Sequence, residues 1–528
     1  MSFSCLFYIF TSCTTTFFAP LLIISYLCAD KSNKLDTENE KFFHPRSIFS
    51  IFLITFATSY NSFCTFSYIT RNHYLTMNWK QLLSSKRLGL ETRQQHKDDR
   101  TEFQRDYDRL IFSAPFRRLQ NKTQVFPLPG NIFVHNRLTH SLEVSSVGRS
   151  LGNDYARMLL EKHPELAETH LTELGSIVSA ACLAHDLGNP PFGHSGERAI
   201  ATYFSEGAGR WLQTYEDPET GDRLTPTQWN DLIHFDGNAN AFRLLTHHFE
   251  GRRPGGFVMT YSTLASIVKY PFSSDLAGEH QKFGFFEAER NDYQKIAEEL
   301  GILKLDSEPG TLRYARFPLA YLVEAADDIC YEIMDIEDAH KLKILSTADT
   351  KELLMAYFTP ERRKEIEENL SRLDVYDVNE QVVYLRSSVI NTLEGECVRA
   401  FVDHEEEILN GSFQGSLIEQ ISETPRKAYE ACVNISYGHI YHSKDVVDIE
   451  LAGFRVMTSL VHEMVEAVMH PERAYSQLLL NRVSRQYQIR APRLYDRMMA
   501  VLDYISGMTD IYALDLYRKI NGMSFPII

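Results

Sequence analysis

His185 and Asp186 stand side by side at the end of an apolar run, Ala181-Cys-Leu-Ala-His185-Asp186, and the stretch that follows adds His194 and Glu197 within thirteen residues. Upstream lies His135-Asn-Arg137-Leu-Thr-His140-Ser141, and downstream lies Glu324-Ala-Ala-Asp327-Asp328-Ile-Cys-Tyr331. Imidazoles and carboxylates are the side chains that ligate divalent cations and move protons near neutral pH. Charged side chains are rarely buried alone, so the Asp327-Asp328 pair between Ala326 and Ile329 calls for a cation. Two histidines and two carboxylates with no cysteine suit a hard or borderline divalent metal with open positions, such as Mn, Fe, Mg or Zn. Structural zinc is more often thiolate-bound.

Such residues need rigid carriers, and the pattern predicts helices. Leu174–Leu187, Tyr314–Ile336 and Glu450–Met469 repeat apolar residues at i, i+3, i+4 and i+7. Gly188 is expected to stop the helix that delivers His185-Asp186, and Pro190-Pro191 to hold the chain extended. A second helix would then place His194 and Glu197, at i and i+3, on one face. Alternating patterns are scarce, although Val433, Ile435 and Ile440 allow a small hairpin at Tyr429–Tyr441. Asp335, Glu337 and Asp338 read as a solvated helix face. Glu206–Thr227 is polar and reads as an excursion from the helical body. There is no long internal repeat and no P-loop or dinucleotide fingerprint, so phosphate would have to be held by other means.

The 528 residues are 23% charged and 44% hydrophobic, with a formal net charge of −16. The length admits two to four domain-sized units or one large helical domain, and the composition excludes wholesale disorder. The acidity gives no general reason to bind a nucleic-acid backbone, yet a local basic groove stays open. Arg482–Arg493 is one basic stretch, read as a solvated or interface face in preference to an effector or polynucleotide contact. Eight cysteines without a CxxC pair indicate a reducing compartment, the cytoplasm. Residues 1–76 differ from the rest. They hold four of the eight cysteines, none of the 26 glycines, and two long uncharged runs rich in Phe, Ile, Ser and Thr. Membrane spans and a cleaved signal are open readings, but Ser, Thr and Pro20 weaken the first and the missing basic n-region weakens the second. An atypical extension, preceding a fresh start at Met77-Asn-Trp-Lys80, is the favoured one.

In order along the chain, Phe112-Ser-Ala-Pro-Phe-Arg117-Arg118-Leu-Gln-Asn-Lys-Thr-Gln124-Val, His135–Ser141, His185–Glu197, Phe235–Arg243 and Ser506-Gly-Met-Thr-Asp510 resemble the motifs of bacterial deoxyguanosine triphosphate triphosphohydrolases. His140, His185-Asp186 and Asp327 match the H…HD…D pattern of the wider superfamily of HD-domain metal-dependent phosphohydrolases. The resemblance runs from about Met77 to the C-terminus. It implies a mainly α, HD-domain helical fold with additional helices, the HD core at about 135–340 and a C-terminal helical region at about 341–528. It implies hydrolysis of a deoxynucleoside triphosphate, dGTP by prior, to the deoxynucleoside and inorganic triphosphate. The implied metal ligands are His140, His185, Asp186 and Asp327, holding Mn²⁺ or Mg²⁺, with Fe²⁺ and Zn²⁺ as alternatives. His194 would act as the acid, with Glu197 orienting it and His234 completing the acid–base chain. Arg137, Tyr331 and Lys269 would contact phosphate, and Gln124 the 3′ side of the sugar, while Asp328 would be structural or lie just behind the ligands. A homo-oligomer, with a hexamer as one candidate, and a nucleotide or single-stranded DNA effector are also implied, with no membrane contact for 77–528. The alternatives are an HD phosphohydrolase acting on another nucleotide, and a non-enzymatic nucleotide or nucleic-acid sensor.

Overall fold

In the computed structural model, which describes residues 76–92, 99–126, 134–278, 282–305 and 312–523, α-helix dominates. Among the described residues, extended pairing is limited to isolated bridges such as Thr123 with Asn136. Chain contacts gather Leu75–Ile528 into one compact unit. The expected extension at 1–76 lies outside the described residues, Thr76 excepted. The principal helices are α1 (Glu102–Ile111), α2 (Arg137–Lys162), α3 (Leu174–Ala184), α4 (Gly193–Ser205), α5 (Pro226–Ile233), α6 (Gly237–Thr246), α7 (Pro318–Lys341), α8 (Val378–Asp403), α9 (Glu423–Ile435), α10 (Lys444–Met469), α11 (Leu494–Ser506) and α12 (Asp510–Ile520). Among the described residues no helix is long and apolar enough to cross a membrane.

Local chemistry sets where the key helices begin. Asn136 caps α2, its carboxamide oxygen accepting from the Leu138 and Thr139 amides at 3.0 Å each, while the Asn136 amide donates back to Thr139 Oγ1 at 3.1 Å. That fixed start puts Arg137 and His140 on one face, three residues apart. α7 begins at Pro318, whose fixed φ and missing N–H suit the first helical position. The helix therefore starts four residues later than the apolar pattern predicts, and Tyr314 instead bridges to Lys304.

α3 is apolar all round and ten of its eleven residues are buried, as a central helix requires. It crosses α2 closely because both carry glycine there: a Cβ on Gly152 would lie 2.8 Å from the Gly175 Cα. Around α2, α3, α7 and α8 the first apolar cluster forms, and around α4, α10, α11 and α12 a second. The loop from α3 to α4 joins the two, and it is this loop that carries His185 and Asp186.

Two expectations fail here. Tyr429–Tyr441 is not a hairpin: it is the end of α9 continuing into a π-helical turn at Ser436–Ile440. The spacing of Val433, Ile435 and Ile440 is compatible with both, and the widened turn absorbs the irregular step. Nor are Asp335, Glu337 and Asp338 solvated. All three are buried, and each has a partner: Tyr441 donates to Asp335 at 2.8 Å, Arg386 and Lys341 meet Glu337 at 2.5 and 2.9 Å, and the His135 amide donates to Asp338 at 2.8 Å.

The last pair has a pH signature. His135 Nδ1 lies 2.9 Å from Asp338 Oδ1, off the line of a good hydrogen bond, and its Nε2 lies 3.1 Å from Glu143. Burial works against the imidazolium, but Asp338 and Glu143 outweigh it and lift the pKa to about 10. A folded value above the unfolded one means stabilisation that is complete below about pH 6.5 and lost as pH rises through about 10. Asp338→Asn is expected to cost about 3 kcal/mol at pH 6 in denaturant unfolding, and progressively less toward pH 10.5. A cost independent of pH would remove His135 from the account.

Candidate metal centre

Four side chains from three elements converge. His140 comes from the second turn of α2, His185 and Asp186 from the turn that ends α3, and Asp327 from the middle of α7. One ligand atom from each of His140, His185 and Asp186 lies within 4.8 Å of the others. Asp327 Oδ1 stands 3.1 Å from His140 Nε2 and 3.4 Å from His185 Nε2. The two imidazole rings pack edge to face at 5.3 Å.

The orientation of His185 is informative. Its Nδ1 sits 2.6 Å from the Cys182 carbonyl, so that nitrogen carries the proton and donates. That leaves Nε2 buried and without a hydrogen-bond partner among the described residues, 3.4 Å from Asp327 Oδ1 and 3.7 Å from Asp186 Oδ1. An imidazole fixed by its far nitrogen, with its near nitrogen turned toward two carboxylates and a second imidazole, is the arrangement a metal ligand requires. The donor set of two nitrogens and two carboxylates fits a hard or borderline divalent ion.

The carboxylates are held ionised. Burial alone would lift Asp186, but Arg137, followed by His185 and His140, outweighs it and holds the carboxyl at about 2. Arg137 Nη1 donates to Asp186 Oδ2 at 2.7 Å, and the Asn189 side-chain amide donates to Oδ1. Asp327 is also driven well below the carboxylate range against burial, first by Lys269, whose Nζ lies 2.8 Å from Oδ2, and then by His185. Asp328 behaves oppositely. Burial pushes it up to about 8, with Lys269 pulling against that and Glu324 and Asp327 adding to it.

The structure thus joins Arg137 and Lys269 to the quartet as partners of its carboxylates. Tyr331 is one turn beyond Asp327, with its ring 6.3 Å from that of His140 and 6.3 Å from that of Tyr441. His194 is exposed on the first turn of α4. Glu197 is buried, its Oε1 accepting from the Gly237 amide at 2.7 Å and its Oε2 lying 3.6 Å from Lys282. His194 is pulled up by Glu197, but desolvation, Arg137 and Lys282 leave it below its ordinary value. His234 caps the end of α5, half-buried, with Nδ1 unpartnered among the described residues and no hydrogen bond to His194 or Glu197. Gln124 follows Thr123, the bridge partner of the α2 cap; its Oε1 is buried and unpartnered, and no hydrogen bond ties it to the quartet among the described residues.

Several supporting residues were not singled out by sequence. The α3 helix ends at Ala184, before Gly188, so Gly188 is needed for a different reason: a Cβ there would come within 2.1 Å of Ala241 N and Gly237 O. The loop packs directly on the start of α6. Lys122 Nζ donates to Asn189 O at 2.5 Å and to Ser506 O at 2.8 Å, while Asp510 accepts from Thr123 N at 2.8 Å and from Phe192 N at 3.0 Å. The Ser506–Asp510 segment is therefore the brace behind the loop that presents Asp186. Its inclusion among the family-like motifs was the available signal.

Comparison with known proteins accords with this geometry. The HD domain family model matches residues 137–223, and that of the phosphohydrolase-associated domain matches residues 420–519. A deoxyguanosinetriphosphate triphosphohydrolase-like protein of Synechocystis sp. is 38% identical over 461 residues, covering 85% of this chain and 100% of that protein. Its namesake from Listeria monocytogenes is 32% identical over 482 residues, with the same coverage. A deoxyguanosinetriphosphate triphosphohydrolase of Yersinia pseudotuberculosis is 31% identical over 489 residues, covering 79% of this chain and 93% of that protein.

Proposed function

Because the chain belongs to the deoxyguanosinetriphosphate triphosphohydrolase-like family of HD-domain phosphohydrolases, we propose that it cleaves a deoxynucleoside triphosphate, dGTP first among them, into deoxynucleoside and inorganic triphosphate. The observation that carries this reading is the buried, partnerless Nε2 of His185, turned toward His140, Asp186 and Asp327. These four would hold the ion, Mn²⁺ or Mg²⁺. When bound, a divalent metal there acidifies a water and polarises a phosphoryl oxygen.

The remaining work falls to the chain's own side chains. Attack at the α-phosphorus expels the 5′-oxygen, which needs a proton, and His194 on the solvent side of α4 supplies it. Glu197, anchored by the Gly237 amide, stands beside that imidazole and orients it. Arg137 and Lys269 hold Asp186 and Asp327 in register and bring positive charge to where the phosphate chain lies. Tyr331 closes the wall beside His140, Gln124 turns its free carboxamide oxygen to the sugar, and His234 stands in reserve on the acid–base side. The catalytic body is 77–528, in keeping with the share of the chain that covers the whole of the Synechocystis relative.

The test is a product assay on the purified chain with each of the four dNTPs and Mg²⁺ or Mn²⁺. Inorganic triphosphate and deoxyguanosine in equal amounts are expected from dGTP. Release of orthophosphate or pyrophosphate refutes the reaction type, and turnover of another nucleotide alone refutes the substrate.

A further inference from the structure

Glu332 follows Tyr331 on α7 and takes no part in the metal quartet. Its side chain is buried, and Ser436 Oγ donates to its Oε1 at 2.7 Å. Among the described residues no other hydrogen bond and no ion pair reaches this carboxyl. The titratable groups around it are Asp335 on the same helix, Tyr429 and Cys432 on α9, Tyr357 beyond the helix Thr347–Met355, and Tyr441. None of these is a cation. Burial pushes the Glu332 carboxyl up to about 7, with the Ser436 hydroxyl pulling against it. An acid in such surroundings costs stability near neutral pH, where a leucine would not. Packing alone does not call for glutamate here.

What the carboxyl holds is the start of the π-helical turn. Ser436 opens that turn, fully buried, and the Tyr441 amide closes it on the Ser436 carbonyl at 2.9 Å. Turns of this kind are rare and occur frequently at functional sites. The Tyr441 hydroxyl donates to Asp335 Oδ2 at 2.8 Å. The Tyr441 ring stands 6.3 Å from that of Tyr331, which in turn stands 6.3 Å from that of His140. One line of contacts therefore runs from Glu332 through Ser436 and Tyr441 to Tyr331, beside a ligand of the quartet. α7 sets where the Tyr331 backbone lies, and the turn sets what its ring packs against.

We propose that Glu332 and Ser436 are positioning residues, whose hydrogen bond fixes the π turn and so seats Tyr441 against Tyr331 in the wall of the nucleotide site. The inference rests on the reaction proposed above, in which Tyr331 lines that site without ligating the metal. Loss of the bond is then felt in nucleotide binding, and not in metal content or in the chemical step.

Two measurements test this on the full chain with Mn²⁺: steady-state kinetics on dGTP, and calorimetric affinity for non-hydrolysable α,β-imido dGTP. Glu332→Leu and Ser436→Ala are each expected to raise KM and the analogue's Kd about tenfold, with kcat changed less than about threefold. The double variant should be no worse than the more severe single one, because both substitutions remove the same bond. Glu332→Leu should melt no lower than the wild type at pH 8, since it removes an acid that the fold holds above its ordinary pKa. A merely structural role predicts a lower melting temperature and a fall in kcat. Glu332→Gln is the conservative control, because its amide oxygen accepts from Ser436 as the protonated acid does. Its Kd should match the wild type's below about pH 6 and exceed it as pH rises through about 7, where the wild-type carboxylate makes the stronger, charge-assisted bond. Unchanged Kd in Glu332→Leu, additive effects of the two substitutions, or a Gln-to-wild-type ratio flat with pH overturns the proposal. The analogue reads the contrast without turnover, so failure of the reaction and failure of this inference stay distinct.

Discussion

Asp186→Asn is expected to abolish stoichiometric binding of a divalent metal and to slow triphosphate release from dGTP by at least ~10³-fold, about 4 kcal/mol of barrier. The substitution changes one atom and one charge. Asp186 is held at about 2, so the native side chain is a carboxylate at every physiological pH, and its position is set from both sides by Arg137 and Asn189. An asparagine fills the same space but removes half of the negative charge of the quartet. It also strips the Arg137 guanidinium, buried at 4% exposure, of its ion-pair partner, which further repels a cation. Metal content by mass spectrometry and product release are read together, and thermal unfolding checks that the fold survives. A variant that keeps its metal and a tenth or more of its rate would remove Asp186 from the ligand set and with it the proposed centre.

Why some of this was legible in the sequence, and some not, follows from the range of the interactions. The His185-Asp186 dipeptide announces itself because an apolar helix and a turn signal flank it at short range, and α3 forms where the pattern places it. The cap of α2 and the face shared by Arg137 and His140 are equally local. Asp335, Glu337 and Asp338 were misread for the opposite reason. Acidic residues at helical spacing look like a wet stripe, and the Tyr441, Arg386 and His135 groups that make their burial tolerable lie 106, 49 and 203 residues away. Lys269 reads from sequence as a phosphate contact, and its ion pair with Asp327, 58 residues on, leaves no local trace. Lys122 is the extreme case. A buried lysine whose hydrogen bonds go to two carbonyls leaves no periodic trace, yet it spans 384 residues to tie Ser506 to the catalytic loop.

His194→Ala separates proton donation from metal binding. General acid catalysis contributes typically 10²–10⁴-fold, and a loss of about 10³ in kcat on dGTP is expected with metal content unchanged. The residue is suited to that division of labour. It is exposed on the first turn of α4, eight residues beyond Asp186, on the helix whose entry is set by Phe192 at a φ of 62°. None of the quartet's hydrogen bonds or ion pairs passes through it among the described residues, so its removal leaves the ligands in place. A structural role predicts the same loss on every substrate, whereas an acid predicts a loss that depends on how badly the leaving oxygen needs a proton. A p-nitrophenyl triphosphate provides the contrast, since nitrophenolate departs unprotonated at neutral pH. The variant should lose no more than about tenfold on that substrate while losing ~10³ on dGTP. Equal losses on the two would show that His194 shapes the site without donating the proton, and the role would then pass to His234, whose half-buried Nδ1 lacks any partner among the described residues.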